Sequence, residues 1–268
     1  MDLIDIGANL THESFRHDFD AVLTRARHAG VTQMLVTGAS RAGSEAALAL
    51  ARAHPGVLYA TAGVHPHHAL DYDADTETAL QWLLRDPAVR AVGEAGLDYY
   101  RNYAPRAAQL HAFERQLALA AALGMPLFLH QREAHDDFLA LLRPVRDRVP
   151  AAVVHCFTDT RAALHDYLDL DCHIGITGWL CDERRGTHLR ELVREIPGER
   201  LLIETDAPYL LPRNVRPQPA QRRNEPMYLA HIVAELARDR GEDVALTARQ
   251  TSANARAVFG LPAAHAPA

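Results

Sequence analysis

Four residues of metal-binding type stand at or near the ends of four short apolar runs: Glu94 in AVGEAGL, His130 in PLFLH, His155 in AVVHCF and Asp206 in LLIETD. Imidazole nitrogens and carboxylate oxygens are the donors a divalent catalytic ion uses, with coordination left open for water. No cysteine is among them, which argues against a closed structural zinc site. Each residue alone is ordinary. A histidine at a strand end is commonly hydrogen-bonded structure, and an aspartate before Ala-Pro is commonly a turn or a cap. Four of them at equivalent positions point to one shared metal site and to hydrolysis by an activated water. A fifth run, LYATAGV, leads into HPHH and places His65, His67 and His68 at the same level.

The elements that must position these groups follow from the pattern. Eight runs rich in Val, Ile and Leu (LIDIG, QMLVTG, LYATAGV, AVGEAGL, PLFLH, AVVHCF, HIGITG and LLIETD) alternate with longer stretches of helical periodicity. Two such stretches are APRAAQLHAFERQLALAAALG, ending at Gly124, and AHDDFLALLRPVRDRV, running to Pro150. Strands that alternate with helices imply a parallel sheet, because each helix is a crossover. Eight such units predict a single (β/α)8 barrel of the TIM type; a doubly wound open sheet is the alternative. In a barrel the residues at the strand ends converge on one pocket. The 268 residues suit one domain, expected over residues 1–262, with the Ala/Pro-rich residues 263–268 as a disordered tail.

Composition narrows the function. The net charge is −6, so the chain carries no broad basic excess for gripping duplex DNA. An anionic substrate would need local neutralisation, which a bound metal provides. Three cysteines without a CxxC pair suit a reducing compartment, so a cytoplasmic location is expected. No apolar run approaches the ~20 residues of a membrane span, and no basic-then-apolar N-terminal signal is present. Cys156 beside His155 is not read as a nucleophile–base pair, because neighbours on a strand face opposite ways. There is no GxSxG elbow and no phosphate-binding P-loop.

TAGVHPH, VGEAGLDYYRN, MPLFLHQREAH, VVHCFTDT, IGITGWLCDERRG, LLIETDAPYLLPR and RRNEP closely resemble the TatD family of metal-dependent deoxyribonucleases, within the amidohydrolase-like barrels. The likeness runs nearly end to end, from DIGANLT to TSANARAVFG. It implies a barrel hydrolase that removes nucleotides from the 3′ end of single-stranded DNA, and of RNA, in DNA repair or nucleic-acid turnover. It also implies metal ligands at Glu94, His130, His155 and Asp206. Family members usually carry a His-x-His pair at the tip of the first strand; here those positions are Gly7 and Asn9. A site that has lost two imidazoles should favour magnesium over zinc, with manganese or zinc as alternatives. One ion should be held firmly by Glu94, His130 and His155, and a second weakly through Asp206, waters and substrate phosphate.

The catalytic assignments follow. Asp206 orients and deprotonates the attacking water. His65 stabilises developing charge or protonates the leaving oxygen, or else orients a neighbour. Glu204 supports Asp206 from two residues away on the same strand face. Arg132, sharing the face of His130, and Arg222 and Arg223 are candidates for substrate phosphate. Arg184 and Arg185 either join that rim or lie in solvated loops, and Tyr99, Tyr100, Trp179 and Tyr209 could stack bases. No membrane and no stable protein partner is implied. Two other functions use similar chemistry or residues: hydrolysis of another bond, such as an aminoacyl ester or a lactone, and non-catalytic binding of nucleic-acid ends.

Overall fold

The computed structural model describes residues 1–220 and 222–263. Of the tail expected at 263–268, residues 264–268 lie outside the described residues. Among the described residues there are eight strands: β1 (Leu3–Ala8), β2 (Val31–Val36), β3 (Leu58–Ala62), β4 (Val89–Asp98), β5 (Leu127–Arg132), β6 (Ala152–Val154), β7 (His173–Ile176) and β8 (Leu201–Ile203). Helices alternate with them: α1 (Phe19–His28), α2 (Arg41–Ala53), α3 (Ala74–Leu83), α4 (Arg106–Leu123), α5 (His135–Leu142), α6 (Arg161–Asp169), α7 (Leu189–Leu192), α8 (Leu229–Arg240) and α9 (Val244–Phe259). The sheet order is the chain order, β1 through β8. Beyond the last strand, Asp206 N donates to Gly7 O at 2.8 Å and Asn9 N to Ala207 O at 2.7 Å, which joins β1 to the segment after β8. This is the (β/α)8 arrangement that the alternation predicts.

The chain forms two compact units. One contains Met1–Leu35, Cys156–Thr158 and the segment from Ile174 onward; the other contains Val36–His155 and Asp159–His173. In the first, β1 is buried along its whole length, and Phe15, Leu229, Ile232, Leu236 and Phe259 complete the core. Burial on both faces is why β1 reads as an apolar run rather than as an alternation. In the second, Phe113 of α4 stacks on Phe138 of α5 at 5.2 Å, and Phe138 meets Tyr167 of α6 edge-on at 5.7 Å. Aromatic pairs of this kind add about 0.5–1.5 kcal/mol each beyond their buried area.

Two boundaries differ from the sequence reading. The helix expected to run to Pro150 stops at Leu142, because Pro144 lacks an amide hydrogen and disfavours helical backbone before it. His130 is not at a strand tip but inside β5, since β4 and β5 stay paired from Gly96↔His130 to Asp98↔Arg132.

The extension of β4 depends on glycine. Its register against β5 shifts between Val92 and Ala95, and the residues flanking that bulge, Gly93 and Gly96, have φ of +143° and +147°. A Cβ at Gly96 would lie 1.8 Å from His130 O. Gly124, the C-terminal cap of α4, also has positive φ, but a Cβ there would meet nothing within 4 Å. Gly124→Ala should therefore cost only about 1 kcal/mol, the left-handed backbone penalty. Gly96→Ala should cost more, roughly 2–4 kcal/mol, because strand backbone must also move. Urea unfolding of the two variants beside the parent chain measures the difference.

Candidate metal centre

Glu94 sits in the β4 bulge, its amide donating to Gly38 O at 2.8 Å. Three imidazole nitrogens crowd one oxygen of its largely buried carboxylate: His155 Nε2 at 2.8 Å, His130 Nδ1 at 3.2 Å and His65 Nε2 at 3.3 Å from Oε1. Burial alone would raise the pKa of Glu94; His155 foremost, with His65 and His130, overturns this and holds the carboxyl well below its usual range. Burial also opposes charge on His130, but Asp98 and Glu94 outweigh it and raise the His130 pKa. Nε2 of His130, buried and 3.4 Å from Asp98 Oδ2, makes no hydrogen bond. A buried carboxylate ringed by imidazoles, one with an unbonded nitrogen, is a donor set that fits a divalent cation.

His65 is different in kind. Its Nδ1 accepts from the His67 amide at 3.1 Å, capping the turn Pro66–Asp71. A ring that accepts at Nδ1 carries its proton at Nε2, so His65 faces Glu94 as a hydrogen-bond donor rather than as a ligand. Burial pushes its pKa down to about 4, so it remains a neutral donor at pH 7.

Buried residues invisible to the motif reading hold these groups in place. Gln116 of α4 accepts from Val64 N at 2.7 Å and donates to Val64 O at 3.0 Å, which fixes the backbone just before His65. Seven residues earlier on the same helix face, Gln109 accepts from Asp98 N at 2.8 Å. Asp98 in turn contacts His67 Nε2 at 2.8 Å, and it lies below the usual carboxylate range because the neighbouring His130 and His67 rings outweigh its burial. The sequence signal for this tier was present: two glutamines spaced by seven on an otherwise apolar helix face. Tyr103 was also missed; it is 66 % exposed and meets His67 edge-on at 4.7 Å. Arg132 lies over the Tyr100 ring at 4.1 Å.

The first unit holds the remaining expected residues. Asp206 lies three residues past β8 in left-handed backbone, φ +54°, so strand alternation does not govern how it and Glu204 point. Asn9 Nδ2 donates to Asp206 Oδ1 at 2.9 Å, so the amide at the tip of β1 orients a carboxylate. Glu204 is fully buried and accepts from the Cys156 amide at 2.6 Å. The Arg223 guanidinium binds Asp18 and Glu225, each at 2.7 Å. Arg222 is exposed and, with Arg213, Gln218, Leu211 and Pro212, lines a cavity of about 180 Å³. Arg185 stacks over Trp179 at 4.4 Å, and Tyr209 is 52 % exposed.

Residues 4–260 match the family model described as TatD related DNase. The chain belongs to that family. Among its relatives are proteins named 3′-5′ ssDNA/RNA exonuclease TatD from Erwinia amylovora and Pantoea ananatis, each 54% identical over 97% of this chain and 100% of the relative. Among solved structures, the TatD homolog YJJV from Escherichia coli aligns with a TM-score of 0.87 at 30% identity, over 97% of this chain and 98% of that one. The TatD family hydrolase from Entamoeba histolytica aligns at 0.86 with 26% identity, over 98% and 99%. An organophosphorus hydrolase from Deinococcus radiodurans shares the fold at 15% identity and a TM-score of 0.59. Among the described residues no helix is long and apolar enough to cross a membrane.

Beneath the tip of β1 lies a group with a measurable signature. Asp5 is fully buried, accepting from Thr205 N at 2.9 Å, Thr205 Oγ1 at 2.5 Å and Gly7 N at 3.2 Å. Burial raises its pKa to about 7 despite these bonds. Between the unfolded aspartate's value and about 7, the folded chain binds the extra proton, so this group's contribution to stability falls as pH rises and is flat above that window. Asp5→Asn removes the titration. The stability difference, parent minus variant, should therefore decline from pH 4 to pH 7, as urea unfolding across this range would measure.

Proposed function

We propose that this chain is a metal-dependent 3′-to-5′ exonuclease acting on single-stranded DNA and RNA, as one catalytic domain spanning residues 1–262. The observation that carries the reading is the crowding of three imidazole nitrogens on Glu94 Oε1, in a chain whose relatives are named for that activity. Glu94, His130 and His155 would hold the ion, and Asp206 would be the further ligand that the family pattern supplies. A bound divalent ion would polarise a phosphoryl oxygen and lower the pKa of a water. Magnesium fits this chain better than zinc, with manganese and zinc as alternatives, because Gly7 offers no side chain and Asn9 offers only an amide.

The chain's own groups then divide the work. Asp206, oriented by Asn9, accepts the proton of the attacking water. His65 donates its Nε2–H to a phosphoryl or leaving oxygen; because it is neutral, it acts by hydrogen bonding rather than as an imidazolium. Glu204 positions the loop after β6 through the Cys156 amide. Arg132 and Arg222 meet substrate phosphates, and Arg223 holds its segment against Asp18 and Glu225. Tyr100 and Tyr103, exposed beside this centre, stack the terminal bases. The setting is cytoplasmic nucleic-acid turnover or DNA repair, without a membrane or a stable protein partner.

The decisive measurement uses chelator-stripped protein, added magnesium and a single-stranded oligonucleotide labelled at its 5′ end. A descending ladder is expected. Asp206→Asn should slow it by about 10²-fold or more. Internal cuts alone, or no cleavage with magnesium, manganese or zinc by folded protein, would overturn the proposal. Tyr103→Ala should raise KM for the oligonucleotide roughly 5- to 150-fold, the equivalent of one lost stacking contact, while leaving kcat within about twofold.

A further inference from the structure

The first unit contains a second set of ligand-type side chains that the proposed hydrolysis does not use. Cys181 ends the short turn Gly178–Cys181 after β7. His231 and Glu235 lie four residues apart on α8, hence on one helix face. The Cys181 sulfur, a ring nitrogen of His231 and a carboxylate oxygen of Glu235 all fall within 4.8 Å of one another.

Three features separate this cluster from ordinary packing. Cys181 is fully buried, and among the described residues its sulfur makes no hydrogen bond. The imidazole and the carboxylate are held by one amide: Asn214 Oδ1 meets His231 Nε2 at 2.7 Å and Asn214 Nδ2 donates to Glu235 Oε2 at 2.5 Å. Because that amide oxygen can only accept, Nε2 carries the ring proton and Nδ1 keeps a lone pair. A carbonyl that fixes the tautomer in this way is what orders a ligating histidine. Negative charge also accumulates at the thiol. Burial, Glu235 and Asp239 push Cys181 up to about 12, and Asp239 Oδ2 is buried with no hydrogen-bond partner. Arg238 offsets part of this, pairing with Glu235 at 2.8 Å and with Asp239 at 3.1 Å.

We propose that Cys181, His231 and Glu235 form a zinc-type metal site that ties the turn after β7 to α8. On binding, the S–H bond of Cys181 breaks, its proton passes to water, and the thiolate, a ring nitrogen and a carboxylate oxygen coordinate the ion. Thiolate and carboxylate together balance its two positive charges. A thiolate ligand selects a borderline-soft ion such as zinc or cobalt over magnesium, the metal proposed at Glu94. His231 and Glu235 are only half-buried, which leaves a path of entry.

The test is cobalt titration of the chelator-stripped full chain, read in the near-ultraviolet, where only thiolate ligation gives an intense charge-transfer band. The donor set at Glu94 contains no sulfur and gives no such band. One equivalent of cobalt should develop it. The band should vanish in Cys181→Ser and persist in Cys156→Ser and His130→Ala. His231→Ala should weaken cobalt affinity at least about tenfold, which keeps the proposal testable if Cys181→Ser fails to fold. Absence of the band in folded parent protein at excess cobalt, its persistence in Cys181→Ser, or unchanged affinity in His231→Ala would each overturn the site.

Discussion

The second unit is organised around one buried carboxylate. Removing Glu94 from water costs several kcal/mol unless charge and hydrogen bonds replace the lost hydration. His155, His130 and His65 supply that replacement, all directed at a single oxygen. Three imidazoles reach one oxygen only where their backbones are held in place by packing. Much of the local structure is explained by that demand. The bulge in β4 turns Glu94 inward, and the glycines beside it let β4 press against β5 without a Cβ in the way.

Two buried glutamines complete the support. Gln116 and Gln109 lie on one face of α4 and satisfy backbone groups just after β3 and at the last residue of β4. A buried backbone group left unpaired would cost about 1–3 kcal/mol. The amides therefore stabilise the loops and fix where His65 and Asp98 stand. The tautomer of His65 follows from the same geometry. Because its Nδ1 is taken by the His67 amide, its Nε2 can only donate, and proximity to Glu94 does not make it a ligand.

In the first unit a related logic acts on Asp206. Its backbone is pinned to Gly7 and its carboxylate to Asn9, while Asp5 below binds Thr205 through both backbone and side chain. The first strand, with Gly7 and Asn9 at its tip, is an orienting wall. Its amide holds a carboxylate in place. The thiol, imidazole and carboxylate near α8 are arranged with the same economy, one amide fixing two ligand-type groups.

The sequence by itself determined the alternation of strands and helices, the fold class and the family, because apolar periodicity and long motifs are local properties. Its donor types at Glu94, His130 and His155 were legible because motif positions register chemistry. Tertiary structure alone decided how those donors relate. Spacing along the chain does not reveal that β4 bulges, that His130 sits within β5, or that Asp206 leaves strand geometry before its side chain is placed. Nor does it reveal that the Arg223 fork is bound to Asp18 while Arg222 faces solvent, since both read alike in RRNEP. The hydrogen-bonded nitrogen of each imidazole, and hence whether it donates or binds, depends on partners many residues away. That is a property of packing, and only the folded chain specifies it.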